Sequence, residues 1–349
     1  ALTVAGCNGP QKEHPNVIAK DTSSISDDSQ FSSRERLGKL LFFEKSLSSP
    51  AGQACATCHS PEVAFADPET DLPVSRGVIP GRYGSRNDMT VTYAAFIPSL
   101  HFDKEDDVWV GGLFWDGRVN SLADQARQPP LNPLEMANPD TVTIAEKLRA
   151  LSYASLFTEV YGADALSDPE TAFSNMADAI EAYEKTPELS PFSSKYDYWL
   201  RGEAELNPQE LRGLKLFEDE DKGNCAACHP GRPGEDGVPS LFTDFTYDNL
   251  GIPVNPRIAE LHGVDKMPPD LGLGGRPEIA KKHPDGSQNG KFKVSTLRNV
   301  ELSPPYGHNG VFATLEQIVH FYRMRDTLAQ VPDASGAGRN CSLPEHADG

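Results

Sequence analysis

The sequence predicts a mainly α-helical protein built from two similar helical units. Three observations carry this. A Cys-x-x-Cys-His pattern occurs twice, as Cys55-Ala-Thr-Cys58-His59 and as Cys225-Ala-Ala-Cys228-His229. Each copy follows an apolar stretch of helical spacing, Arg36–Phe43 and Leu211–Phe217, and precedes a Phe-x-Asp, at Phe65 and Phe242. That order of helix, loop, motif and Phe-x-Asp reads as an internal repeat. Strand signal is weak throughout, since alternating apolar and polar runs are scarce.

The rest of the chain divides around the repeat. Residues 8–30 are polar and rich in Ser and Asp, as in a tether. Thr141–Tyr161 and Pro169–Thr186 read as amphipathic helices. Pro187–Arg201 reads as a linker that packs Phe192, Tyr196 and Trp199. Gly251–Gly290 is rich in Pro and Gly and reads mostly as loop. The expected division is a tether at 1–30, a first unit at 31–165, a second at 166–330 and a tail at 331–349.

Length and charge bound the function. At 349 residues the chain suffices for two domains with cores of their own. Its net charge of −19, from 51 acids against 32 bases, argues against nucleic acid and against an anionic membrane surface. It favours a basic partner protein, or nothing more than solubility. No apolar run approaches membrane-spanning length. The N-terminus, Ala1-Leu-Thr-Val-Ala-Gly-Cys7, resembles the end of a bacterial lipoprotein signal, with Cys7 as the lipid-bearing residue. The alternative is an ordinary exported N-terminus with a spare thiol, which is free or pairs with Cys341. Four cysteines committed to the repeated motif point to a compartment outside the cytoplasm, periplasm or cell surface.

Cys-x-x-Cys-His is the attachment pattern of c-type haem. Two thiols three residues apart each form a thioether to one porphyrin edge, and the adjacent histidine reaches the iron. The rival reading is a pair of zinc half-sites. It does not explain why His follows both times. Two haem c groups are therefore expected, with His59 and His229 as iron ligands.

With these motifs in place, the chain resembles the bacterial di-haem cytochrome c peroxidase family, in its MauG-like branch. The resemblance runs from about Arg34 to Arg325 and rests on Phe114-Trp-Asp-Gly-Arg118, Asn132-Pro-Leu-Glu-Met136, Asn249-Leu-Gly251, Thr296-Leu-Arg-Asn299 and Pro305-Tyr-Gly-His308-Asn-Gly310. It implies two cytochrome c-like domains with haems facing their interface. It places Trp115 between the haems, although a Trp beside Phe114 is by itself more often core. It puts Gln125, Pro129 and Glu135 in the peroxide pocket, where Glu135 moves a proton between the peroxide oxygens. Taken alone, Glu135 reads equally as a surface acid. The resemblance also implies Arg298 and His308 as cofactor contacts. It implies an interdomain calcium held by the carbonyls of Ser303 and Pro305. The family's usual Asn ligand is replaced here by Tyr93, which counts against calcium.

Two departures set the expected chemistry. Many family peroxidases carry, in the loop equivalent to 74–89, a histidine that caps the peroxidatic iron. This loop has none, and His101 lies in a later acidic insertion. The His59 iron is thus expected to be open. The second departure lies on the last helix, Thr314–Met324, where Thr314 and Gln317 fit a capping box. At about 100° per residue, Leu315, Ile318, Val319 and Tyr322 share one face, while Met324 and His320 each lie about 200° from Tyr322. Tyr322 is then the inward group, either as a core tyrosine with a bonded hydroxyl or as a ligand. The resemblance implies the ligand. Family peroxidases carry an axial methionine at this spacing after the Pro-Tyr-x-His motif, and MauG-like members a tyrosine. A phenolate favours oxidised iron where a thioether favours reduced iron.

The expected function is a hydrogen peroxide-dependent di-haem oxidoreductase. It would form a high-valent di-haem state and oxidise an aromatic residue, tryptophan first, of a partner protein. The alternatives are a cytochrome c peroxidase fed by a small cytochrome or copper protein, and a non-catalytic di-haem electron carrier. Gln125 and Glu135 in register argue against the carrier.

Overall fold

The computed structural model describes residues 30–234 and 237–328. Seven helices form in the first half: α1 (Ser33–Phe42), α2 (Cys55–Cys58), α3 (Leu122–Ala126), α4 (Gln128–Leu131), α5 (Thr141–Ala150), α6 (Ser155–Tyr161) and α7 (Pro169–Glu184). The second half supplies α8 (Lys195–Leu200), α9 (Pro208–Glu218), α10 (Pro256–Leu261), α11 (Pro277–Lys282) and α12 (Leu315–Leu328). Strand is confined, among the described residues, to two antiparallel pairs. One is β1 (His101–Asp103) with β2 (Val108–Val110), the other β3 (Tyr247–Asp248) with β4 (Phe292–Lys293). The mainly α expectation holds. No described helix is long and apolar enough to cross a membrane.

Local sequence explains where the main helices start. Ser32 accepts from the Glu35 amide while Glu35 accepts from the Ser32 amide, a capping box that opens α1. Asp140 and Asp168 cap α5 and α7 in the simpler way, each accepting from an amide three residues on. Along α7 the apolar residues Phe173, Met176, Ala177, Ile180 and Tyr183 recur at helical spacing and are buried. They meet Leu37, Leu41 and Phe42 of α1 and Ile144 and Leu148 of α5 in one large core. Gly38 permits the close approach, because a Cβ there would collide with the Ala179 carbonyl.

This packing moves the joint between the halves. The sequence placed it at 165/166, giving α7 to the second unit. The structure packs α7 into the first core, so we place the joint beyond Glu184. Among the described residues two smaller cores follow: one around Trp109, Tyr247 and Leu273, which joins the β1–β2 hairpin to the second half, and one within the second half around Tyr306, Phe312 and Phe321.

Two other expectations are corrected. Thr141–Tyr161 is two helices, not one, with the chain extended at Leu151. A single helix over that span would run about 31 Å. The break lets α6 turn back so that Phe157 is buried against the core containing α1. Within the expected linker 187–201, Ser194 caps α8 with its own capping box through Asp197. The stretch 251–290 is mostly irregular, as expected, but carries α10 and α11. Cys7, Cys341, the tether and the tail lie outside the described residues.

Candidate functional site

Both Cys-x-x-Cys-His motifs open into one continuous cavity of about 2450 Å³. Clefts for drug-sized ligands span about 300–1,000 Å³, so this one accommodates more than one large group. The first motif forms α2 and the second a 3₁₀ turn at Cys225–Ala227. None of the four motif thiols forms a disulfide, and burial pushes the Cys55 thiol up to about 12 and the Cys58 and Cys225 thiols upward. Raised in this way, Cys55, Cys58 and Cys225 are neutral thiols facing the cavity rather than metal-binding thiolates.

The repeated Phe-x-Asp now has a role. The Phe65 carbonyl accepts from His59 Nδ1 at 3.3 Å, and the Phe242 carbonyl from His229 Nδ1 at 2.7 Å. Both phenylalanines hold a positive φ, 56° and 51°, which turns the carbonyl toward the ring. With Nδ1 carrying the hydrogen, Nε2 of each histidine keeps its lone pair for a metal. Burial also lowers the His229 pKa, which favours this neutral form.

The cavity wall carries further signs of an absent polar group. Among the described residues, five buried side-chain polar atoms lack a partner. Four of them, Gln53 Oε1, Glu184 Oε2, His308 Nδ1 and Asn309 Oδ1, belong to cavity-lining residues. A buried polar atom left unpaired costs about 1–3 kcal/mol. Thiol pairs, oriented imidazoles, apolar walls and orphaned polar atoms together fit a c-type haem at each motif.

The expected peroxide-pocket residues do converge. Trp115, Gln125, Pro129 and Glu135 all line the cavity. Ser121 caps α3, which presents Gln125, and Pro129 sits at the start of α4. Glu135 is braced by its own motif, since Asn132 Nδ2 donates to Glu135 Oε1 at 2.6 Å. Burial, and then the nearby Asp88, push the Glu135 pKa up to about 7, against the pull of Asn132. Trp115 Nε1 donates to the Asn87 carbonyl at 2.7 Å, and its ring meets His308 edge-on at 6.5 Å between centroids. His308 stacks on Phe292 at 3.6 Å and lines the cavity, and burial lowers its pKa to about 4.

On α12, Leu315, Ile318, Val319 and Tyr322 line the cavity, while His320 and Met324 do not. The helical-face reading therefore matches the wall. The Thr314 hydroxyl accepts from the Gln317 amide, but the Gln317 side chain reaches Ala313 rather than the cap residue itself. His101 lies on the β1–β2 hairpin, its Nδ1 donating to the Ser99 carbonyl, away from the cavity.

Two placements differ from expectation. Arg298 is not on the cavity wall. It is 5% exposed, paired with both carboxylate oxygens of Asp197 at 2.9 and 2.8 Å, and bonded to the Ser240 carbonyl. Its guanidinium lies over the rings of Tyr93, Phe192 and Phe242. It thus braces the segment whose Phe242 carbonyl orients His229. Ser303 and Pro305 both line the cavity, and Tyr93, at the position of the family's Asn ligand, packs its ring against Phe192 and Arg298. Finally, the cavity recruits residues that no motif announced. Glu184, at the end of α7, is 3% exposed, and burial followed by Glu181 raises its pKa to about 8. Asp88 shares Ser75 with Asp67 beside Cys58. Lys293 is likewise buried in the wall. Only the apolar spacing of α7 hinted that Glu184 faces inward.

Comparison with known proteins agrees with this geometry. A family model described as di-haem cytochrome c peroxidase matches residues 32–205. The methylamine utilization protein MauG of Paracoccus denitrificans is 42% identical over 327 residues, covering 90% of this chain and 82% of that protein. The cytochrome c551 peroxidase of Nitrosomonas europaea is 34% identical over 286 residues, covering 81% and 70%. Among solved structures, the diheme peroxidase BthA of Burkholderia thailandensis superposes with a TM-score of 0.76 at 35% identity, covering 84% of this chain and 72% of that one. Paired haem motifs meeting in one cavity, on a helical frame shared with these proteins, make this chain a member of the di-haem cytochrome c peroxidase family, to which the MauG proteins also belong.

Proposed function

We propose that this protein uses hydrogen peroxide to oxidise an aromatic residue, tryptophan foremost, of a basic partner protein outside the cytoplasm. When bound, the two haems supply cleavage of the O–O bond and temporary storage of the two oxidising equivalents. The balance is simple. Peroxide takes two electrons from the partner's aromatic ring and two protons, and leaves as two waters.

The chain's own residues do the rest. Glu135, with a pKa near neutrality, takes a proton from one peroxide oxygen and returns it to the other. Gln125 and Pro129 shape the same chamber. Trp115 stands in the wall shared by both halves, with its indole fixed to the Asn87 carbonyl. His59 and His229 hold their Nε2 atoms ready for iron.

The observation that carries the choice between the two family activities is Tyr322. It is the oxygen-bearing side chain that α12 brings to the cavity, where neither Met324 nor His320 lies. An anionic oxygen ligand disfavours the reduced iron that a cytochrome-fed peroxidase needs. A loop 74–89 without histidine, and a His101 held on a distant hairpin, support an N-terminal site that needs no prior reduction.

The test is the optical and EPR spectrum of the oxidised protein before and after one equivalent of peroxide. One high-spin haem, one low-spin haem with an oxygen ligand, and an immediate reaction are expected. A reaction that begins only after one-electron reduction would overturn the proposal in favour of a cytochrome-fed peroxidase. Sustained turnover with a reduced small cytochrome would point the same way.

A further inference from the structure

We propose that Lys293 is the counter-cation of a haem carboxylate, and so a cofactor-positioning residue at the join of the two halves. This rests on the two-haem assignment and not on the identity of the partner protein.

Lys293 lies on β4, is 3% exposed, and lines the cavity. Its backbone amide donates to the Trp115 carbonyl at 2.9 Å, which ties it to the residue between the two sites. Its Nζ donates to one protein oxygen, the Gly112 carbonyl at 2.6 Å. No carboxylate among the described residues forms a salt bridge with it. The nearest candidate, Asp116, is already engaged by Arg86 at 2.7 Å and Arg118 at 3.0 Å. Asp270, which also lines the cavity, is taken by Arg86. Tyr247 faces Lys293 across the β3–β4 pair, but its hydroxyl donates to the Gly111 carbonyl.

A buried ammonium without a counter-charge is costly, several kcal/mol even after relaxation. In the protein alone, burial drives the Lys293 pKa down to about 7, with Asp116 only partly opposing it. One backbone carbonyl does not offset the cost of burying a lysine ammonium in a cavity wall. A tetrapyrrole brings two propionate carboxylates into the same space. One of these, meeting Nζ, turns a strained amine into a desolvated ion pair with a hydrogen bond. That pair fixes the rotation of the macrocycle beside Trp115 and raises the midpoint potential of its iron by offsetting the propionate's negative field.

The experiment uses the two-haem holoprotein with Lys293→Met, Lys293→Gln and Lys293→Arg. Haem content, the midpoint potential of each haem at mildly alkaline pH and the resonance Raman propionate bending bands are read for each. Met and Gln are expected to keep both haems, to lower the potential of one of them and leave the other, and to shift one propionate band. Arg is expected to keep the native values. The Gln chain retains a donor for Gly112 and removes only the charge, so it carries the test where the Met chain does not fold. Native potentials and native bands in the Met or Gln holoprotein would overturn the proposal. Absence of haem bands from the native protein would instead sink the cofactor assignment.

Discussion

Glu135 shows how one residue's surroundings set its chemistry. Burial and Asp88 disfavour its anion, so its pKa rises to about 7, where an ordinary glutamate titrates near 4.5. The ionised form is the base that peroxide needs. The rate of the first peroxide reaction should therefore rise with pH through about 7 and level off above it. Glu135→Gln should slow that step by about 10²- to 10⁴-fold and abolish this pH dependence, as read by stopped-flow absorbance. Asp197 shows the opposite sign. Burial works against its anion, but the Arg298 hydrogen bonds and Ser194 outweigh it and hold the pKa at about 2. A depressed carboxyl pKa stabilises the fold above the unfolded value and loses that stability as pH falls toward 2. Asp197→Asn should cost about 3–5 kcal/mol at neutral pH, because it strands a buried guanidinium. Chemical denaturation of the variant against the native holoprotein measures this.

At the scale of the element, α1 and α7 illustrate packing, and α12 illustrates facing. The α1–α7 contact runs over Gly38, whose missing side chain lets the Ala179 backbone approach. Gly38→Ala should destabilise the protein by about 1–3 kcal/mol despite improving local helix propensity, since the clash is with backbone that cannot turn aside. A rise in stability would show that the two helices can slide apart. On α12 the apolar positions that face the cavity are the ones left half-exposed in the protein alone, Val319 at 64% and Tyr322 at 40%. Helix α9 likewise has no buried residue and exposes Leu211 and Leu216, which are not among the cavity-lining residues. Both helices lie in the half that carries the second motif, and Tyr322 and Phe217 line the cavity.

On the scale of the whole molecule, this asymmetry predicts how the protein unfolds. The first half closes around a single large core that includes α1, α5, α6 and α7. The second half relies on one small cluster of its own, on another shared with Trp109 of the first half, and on whatever fills the cavity. Replacing Cys225 and Cys228 with alanine should yield a one-haem protein in which α9 and α12 exchange amide hydrogens rapidly. Helices α1, α5 and α7 should stay protected. Equal protection in both halves would show that the second half folds without its cofactor. The net charge of −19 adds a kinetic consequence. Association with a basic partner should slow steeply as ionic strength rises, because screening removes long-range attraction within about 8–10 Å.

The sequence by itself determined what rests on covalent and near-neighbour chemistry. The Cys-x-x-Cys-His spacing specifies haem attachment, apolar periodicity places helices at Arg36–Phe43 and Pro169–Thr186, and the period of α12 selects Tyr322 as the inward side chain. These features depend on residues within a turn or two of each other, so one chain suffices to read them. Tertiary structure alone decided the rest. It gave α7 to the first core, broke Thr141–Tyr161 at Leu151, withdrew Arg298 from the cavity wall into a pair with Asp197, and lodged Glu184 and Lys293 among the cavity-lining residues. Burial and charge compensation are set by partners far away along the chain, and no local pattern encodes which of them arrive.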